Sequence, residues 1–136
     1  MFKSKGITVK TGDEELVNIT SRVSEKLSET GIENGFCLVF CPHTTAGIFV
    51  NERESGLKED MLSFLKETAP KGQGYKHDRG PETNAHAHIR NMLTGESTVL
   101  PVEDGKLVLG TWQNVFLLES DGPRTRNVNI YVMGEN

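Results

Sequence analysis

No stretch of this 136-residue chain stays apolar for the length of a membrane span. Its first ten residues, MFKSKGITVK, lack the apolar core of a signal peptide. The sequence therefore predicts a cytoplasmic protein with no membrane partner. Basic runs are missing as well: the net charge is −4, and no run of Lys/Arg exceeds two residues. Duplex nucleic acid demands a basic face, so no nucleic-acid partner is expected. Cysteine is scarce, with Cys37 and Cys41 four apart in GFCLVFC. On one strand they share a face with Cα atoms roughly 13 Å apart, too far for a disulfide, which predicts buried, reduced thiols. HExxH is absent, and Gly72-Gln73-Gly74 is too short for a phosphate-binding fingerprint.

What is present describes an ordinary globular chain. Hydrophobic content of 35% and charged content of 25% suit one domain, residues 1–136, with a real core. Ile7 and Val9 alternate with polar neighbours as a strand, and Leu16 to Ile19 follow as a second. Thr20 reads as the cap of a one-sided helix through Val23 and Leu27, ended by Gly31. FCLVFC, apolar on both faces, predicts a central strand, and Ala46 to Val50 another after the break at Pro42. Asn51 or Glu52 opens a second helix through Leu57, Met61, Phe64 and Leu65, closed by Pro70. A short third helix carries Ala85 to Leu93, capped by Asn84 and stopped at Gly95. Four strands end the chain: Thr98 to Val102, Lys106 to Leu109, Trp112 to Glu119 and Arg126 to Val132. Asp104-Gly105 marks a hairpin. The expected class is α+β, a mostly antiparallel sheet or sheet pair with about three packed helices. Trp112 is expected to be a core aromatic, with an indole lining a flat heterocycle's pocket as the lesser reading.

Chemistry concentrates in HDRGPETNAHAHIR, residues 77 to 90, which holds three of the four histidines. His77, His86 and His88 are candidate metal ligands, because neutral imidazole is the commonest one. The metal expected is divalent, zinc or another transition ion, with magnesium as the alternative. His86 and His88 pose a difficulty, since side chains two apart on a helix point to nearly opposite sides. His43-Thr44-Thr45 lies between two strands, where His43 is a candidate base or ligand and both hydroxyls are candidate phosphate contacts. Glu52, Asp78 and Glu119 are the candidate proton acceptors. Arg124 and Arg126, two apart on an extended segment, share a face suited to forking onto a phosphate.

PHTTAGIFVNE, HDRGPETNAHAHIR and LPVEDGKLVLGTWQNVFLLESDGPRTR stand in one order along the chain. Together they resemble the YjbQ family of secondary thiamine-phosphate synthase-like proteins over nearly the whole length. The resemblance implies an α/β sandwich-like fold, a homotrimer and a metal-associated histidine site, at motif positions His43, His77, His86, His88, Asp121 and Arg124. It also implies a weak joining of a thiazole phosphate to a pyrimidine diphosphate. Two other classes stand beside that enzyme: a metal-dependent hydrolase of a phosphorylated small molecule, and a non-catalytic module for a metal or anion.

Overall fold

The computed structural model describes all 136 residues. The strands are β1 (Phe2–Lys10), β2 (Glu15–Asn18), β3 (Asn34–Phe40), β4 (Ala46–Asn51), β5 (Ser97–Glu103), β6 (Lys106–Leu107), β7 (Asn114–Glu119) and β8 (Thr125–Glu135). The helices are α1 (Thr20–Ser28), α2 (Ser55–Thr68) and α3 (Ala85–Thr94), with a single 3₁₀ turn at Lys76–Arg79. One sheet runs β1-β8-β3-β5-β6 and the other β2-β7-β4. Every pairing is antiparallel. The class is α+β, as expected, and no helix is long and apolar enough to cross a membrane.

Period-two alternation explains how the layers close. Ile7 and Val9 on β1, Cys37 and Val39 on β3, and Val128, Ile130 and Val132 on β8 face the same core as Ile48, Val115 and Leu117 of the second sheet. Val23 and Leu27 of α1 join that core. The intervening residues of β7, Phe116 and Leu118, face the other way and pack with Leu16 and with Leu65 of α2. So β7 is buried on both faces, and α2 covers the outer side of the small sheet. The large sheet has no such cover. Phe2, Phe36, Val99 and Met133 stand exposed on its outer face, beside Leu38 and Tyr131.

The two thiols are buried and unpaired, as their spacing predicts, and burial pushes each up to about 11. Local details differ at several ends. The Thr20 side chain does not cap α1; Asn18 Oδ1 accepts from Thr20 N and Oγ1, while Thr20 Oγ1 takes Val115 N. The second helix starts later than expected, because Glu54 accepts from Gly56 N and Leu57 N at 2.9 and 2.6 Å. Strand β7 begins only at Asn114, and Trp112 is 70% exposed rather than in the core. Gln113 accounts for this: its side chain accepts from Gly110 N at 2.8 Å, closing a turn that leaves the indole outside.

Candidate functional site

The site lies where β3 gives way to β4, against one side of α3. Gly47 is what lets α3 approach. A Cβ there would collide with Asn91 Oδ1 and the Gly95 carbonyl, so only glycine admits the end of α3 to the β4 backbone. Beside that contact, between the 43–44 segment and α3, lies a cleft of about 540 Å³ whose walls include His43, Thr44, His88, Asn91 and Glu96. His43 and His88, 45 residues apart in sequence, therefore face one cavity.

His88 also meets His77, with ring centroids 4.9 Å apart and the planes nearly perpendicular. A polar chain runs outward from His77. Its Nε2 lies 3.0 Å from Asn84 Oδ1, Asn84 Nδ2 donates to Asp121 Oδ2 at 2.8 Å, and Arg124 donates to the same oxygen at 2.9 Å. The order of these bonds fixes protons. Asp121 is an acceptor, so the Asn84 amide nitrogen must face it and its oxygen must face His77. His77 Nε2 is then the donor, so the tautomer with its lone pair on Nδ1 is the one this bond selects for the neutral ring. Burial would raise the Asp121 carboxyl, but bonds from Asn84 and Arg124 outweigh it and hold it below the usual aspartate range.

His43 is fixed from the other side. The backbone N–H of Asn127 donates to its Nε2 at 3.0 Å, so the lone pair is taken and the ring proton sits on Nδ1. Burial and the nearby Arg126 charge hold its pKa below the ordinary histidine value. It is a neutral hydrogen-bond donor here, and the expected role of base changes accordingly. Thr44 is exposed on the same wall.

Other expected residues lie elsewhere. Glu119 and Arg126 are the next inward positions after Leu117 and Val128, so alternation points both into the core, where they pair. Arg126 Nε donates to Glu119 Oε1 at 2.7 Å and its NH2 to Oε2. Thr11 and the Asp121 N–H also donate to Glu119, and Thr45 accepts from Arg126 at 2.8 Å. Glu119 is 0% exposed and its oxygens are committed. It is no free base, Arg126 is no free phosphate fork, and Thr45 is a strut on Arg126 rather than a ligand contact. Asp78 accepts from Ala85 N at 3.0 Å and so holds the start of α3, the capping job expected of Asn84. Glu52 is separated from His43 by the length of β4; the strand's five residue steps, Ala46 to Asn51, span about 17 Å. Arg124 stays on the rim with its side chain 47% exposed, donating to the Asp121 carbonyl and carboxylate.

His86 parts from His88, as helical geometry requires. It is buried at 2% exposure with Nδ1 unpartnered, and burial and Arg90 hold its pKa low. No group of three or more His, Cys, Asp or Glu side chains converges in the chain. Of the three histidines expected to share a metal, His77 and His88 lie together and His86 does not; two imidazoles could supply at most part of a transition-ion shell. Asn84, Asn91 and Glu96 are the additions that sequence reasoning passed over. Asn84 stood out only as a cap, and Asn91 and Glu96 had no signal beyond lying near the histidines.

A family model described as UPF0047 protein YjbQ-like matches residues 5–135. A UPF0047 protein of Archaeoglobus fulgidus is 50% identical over 123 residues, 90% of this chain and 94% of that one. The UPF0047 protein YugU of Bacillus subtilis is 43% identical, covering 96% of this chain and 98% of its own. Among solved structures, a YbjQ-like protein of unknown function from Sulfolobus solfataricus superposes with a TM-score of 0.95 at 44% identity, over 99% of both chains. A hypothetical protein from Aeropyrum pernix gives 0.94 at 43%, over 98% of this chain and 99% of that one.

Proposed function

The chain belongs to the YjbQ-like UPF0047 family, and on that footing we propose that it transforms a phosphorylated small molecule in the cleft between His43 and His88. The observation that carries this reading is the convergence itself: separate segments bring His43, Thr44 and His88 to one cavity, with His77 against His88 and Arg124 at the end of the polar chain. The donors suit an anion. His43 offers Nδ1–H, Thr44 a hydroxyl, and Arg124 the guanidinium edge not used on Asp121.

The specific reaction is the joining of a thiazole phosphate to a pyrimidine diphosphate with release of pyrophosphate, in the manner of secondary thiamine-phosphate synthase-like proteins. The departing polyanion calls for fixed donors, which is the work assigned to His43, Thr44 and Arg124. His77 and His88 are the residues that would hold a divalent transition metal, which supplies Lewis-acid stabilisation of phosphate oxygens when bound. A homotrimer fits the same reading, because two imidazoles leave a ligand shell incomplete and the large sheet leaves an apolar face uncovered.

Pyrophosphate release by the purified protein tests the reaction. Release that requires both precursors and is lost in His88→Ala supports it. Release from the diphosphate alone would make the protein a hydrolase, and binding without release a non-catalytic module. Arg124→Lys keeps the charge and loses the planar fork. It should weaken binding of a phosphate-bearing precursor about ten-fold, the worth of one charge-assisted bond. Unchanged affinity with a lowered melting temperature would instead assign Arg124 to holding the Asp121 turn.

A further inference from the structure

Strand β1 is an edge of the large sheet, with β8 as its only neighbour. The bonds at its two ends tell which way its backbone points. Gly134 N donates to the Met1 carbonyl at 3.0 Å and Thr11 N to the Arg124 carbonyl at 2.9 Å. In an antiparallel pair the bonded positions recur at every second residue. Lys3, Lys5, Ile7 and Val9 are therefore the residues bonded to β8, and the N–H and C=O groups of Phe2, Ser4, Gly6 and Thr8 point away from the sheet. Arg22 of α1 agrees with this phase, donating to the Thr8 carbonyl from the open side at 2.6 Å. That contact covers one end of the edge. From Phe2 to Gly6 no backbone group on the open side has a partner in the chain, and Phe2, Ser4 and Gly6 are all exposed.

The side chains along this stretch set its chemistry, because successive residues face opposite sides of the sheet. Lys3 and Lys5 share the side of Ile7 and Val9 but lie outside the core, and neither is in an ion pair. Phe2 takes the other side, where its ring stacks on Tyr131 at 6.0 Å and adjoins the exposed Phe36 and Met133. Gly6 offers bare backbone there. With Lys10, β1 carries three lysines and no acid, and the only acid on β8, Glu135, lies past Met133, the partner of Phe2. A second copy docked antiparallel about Ser4 would set Lys3 opposite Lys5, and like charges directly opposite destabilise a pair. The edge thus repels its own kind and favours a strand of the other sign.

From this open, lysine-flanked edge we infer that β1 is a docking edge for an acidic, extended peptide segment, which adds antiparallel to the five-stranded sheet as one further strand. Its main chain takes the free groups of Phe2, Ser4 and Gly6. Residues directly opposite one another lie on the same side of the sheet, so its acidic residues stand opposite Lys3 and Lys5. The residues between them lie opposite Phe2, Ser4 and Gly6, where apolar side chains extend the apolar outer face. The edge therefore reads an alternation of acidic and apolar residues. The inference does not rest on the chemistry proposed for the histidine cleft, and its readout is independent of turnover.

The probe is a capped peptide of alternating glutamate and valine, followed through the backbone amide resonances of the protein. It should shift and protect the amides of Phe2, Ser4 and Gly6 saturably. The same peptide N-methylated at its valines keeps its charge and loses the N–H groups that face β1, so it should not bind. Ser4→Pro removes an N–H on the open side and leaves the β8 ladder intact; it should weaken the peptide about ten-fold or more. Lys3→Glu with Lys5→Glu should weaken it about five-fold or more and admit a lysine–valine peptide instead. The inference is overturned by an acidic peptide that leaves these amides unmoved, or by a lysine–valine peptide that binds the parent protein equally well. Equal binding of the N-methylated peptide would reduce the contact to charge attraction and overturn it too, and that arm stands even where Ser4→Pro fails to fold. Amides of Phe2 to Gly6 that shift with protein concentration alone would assign the edge to a second copy of the chain.

Discussion

Glu119 and Arg126 show how much one side chain's direction decides. Both lie in ESDGPRTR, a charged stretch that reads from sequence as surface chemistry. The alternation of β7 and β8 instead drives them inward, and each becomes the other's solvent. Breaking such a pair from one side is the costly change. Glu119→Gln leaves the Arg126 charge uncompensated and should lower stability by about 3 to 5 kcal/mol in urea unfolding. Replacing both with apolar residues should cost less than either single change. Acid has the same effect. Burial would raise the Glu119 carboxyl, but bonds from Arg126, Thr11 and the Asp121 N–H hold it below the ordinary glutamate value. The unfolded chain therefore takes up that proton first, and the pair's contribution is lost as pH falls below about 4.3.

His86 predicts a second slope at milder pH. Its folded pKa is held down by burial and Arg90, so its contribution is complete above about 6.5 and declines as pH falls from there. Melting temperature should drop between neutral pH and pH 5, and His86→Gln should flatten that drop. The drop should not vanish, because His43 is shifted in the same direction. A His86→Gln profile parallel to the parent's would show that the buried ring is not what titrates.

Among the elements, α3 depends most on a neighbour's missing side chain. Gly47→Ala places a methyl against Asn91 Oδ1 and the Gly95 carbonyl, and should cost about 1 to 3 kcal/mol by overpacking. The damage should be local as well as global: amide exchange in α3 should quicken more than in β3 or β8, and the contact of His77 with His88 should loosen. The strands were legible because their side chains alternate, and α2 because its apolar residues recur at helical spacing. The separation of His86 from His88 was legible for the same reason. Trp112 was not, because a turn closed by Gln113 on Gly110 leaves no periodic trace. Glu52 was a candidate proton acceptor on residue type alone, and five steps of extended strand hold it apart from His43. The histidine cleft itself was half visible: its residue types stood out, while Asn84's orientation by Asp121 and His43's capture by Asn127 depend on contacts between distant segments.

For the molecule as a whole, the asymmetry of cover is the leading fact. The small sheet has α2 on its outer side, and the large sheet has nothing over Phe2, Phe36, Val99 and Met133. A patch of that kind marks a contact surface. Light scattering at micromolar concentration should give three times the chain mass of 15.1 kDa. Phe36→Glu should reduce that value if this face makes the contact. A mass equal to one chain would remove the trimer, and with it any sharing of the histidine site between copies.

Strand β8 lies between β1 and β3, and all nine residues of β1 find their partners on it. Its position has a consequence for how the protein is made. Between Lys10 and Thr125 a ribosome must add 115 residues, roughly 6 to 23 s at common elongation rates. Until β8 is made, β1 has no partner strand and β3 has at most β5 beside it. The large sheet therefore cannot close until the last strand of the chain is made. Lys3, Ser4, Lys5, Thr8 and Lys10 make β1 largely polar, which disfavours its pairing with another copy of the chain in that interval.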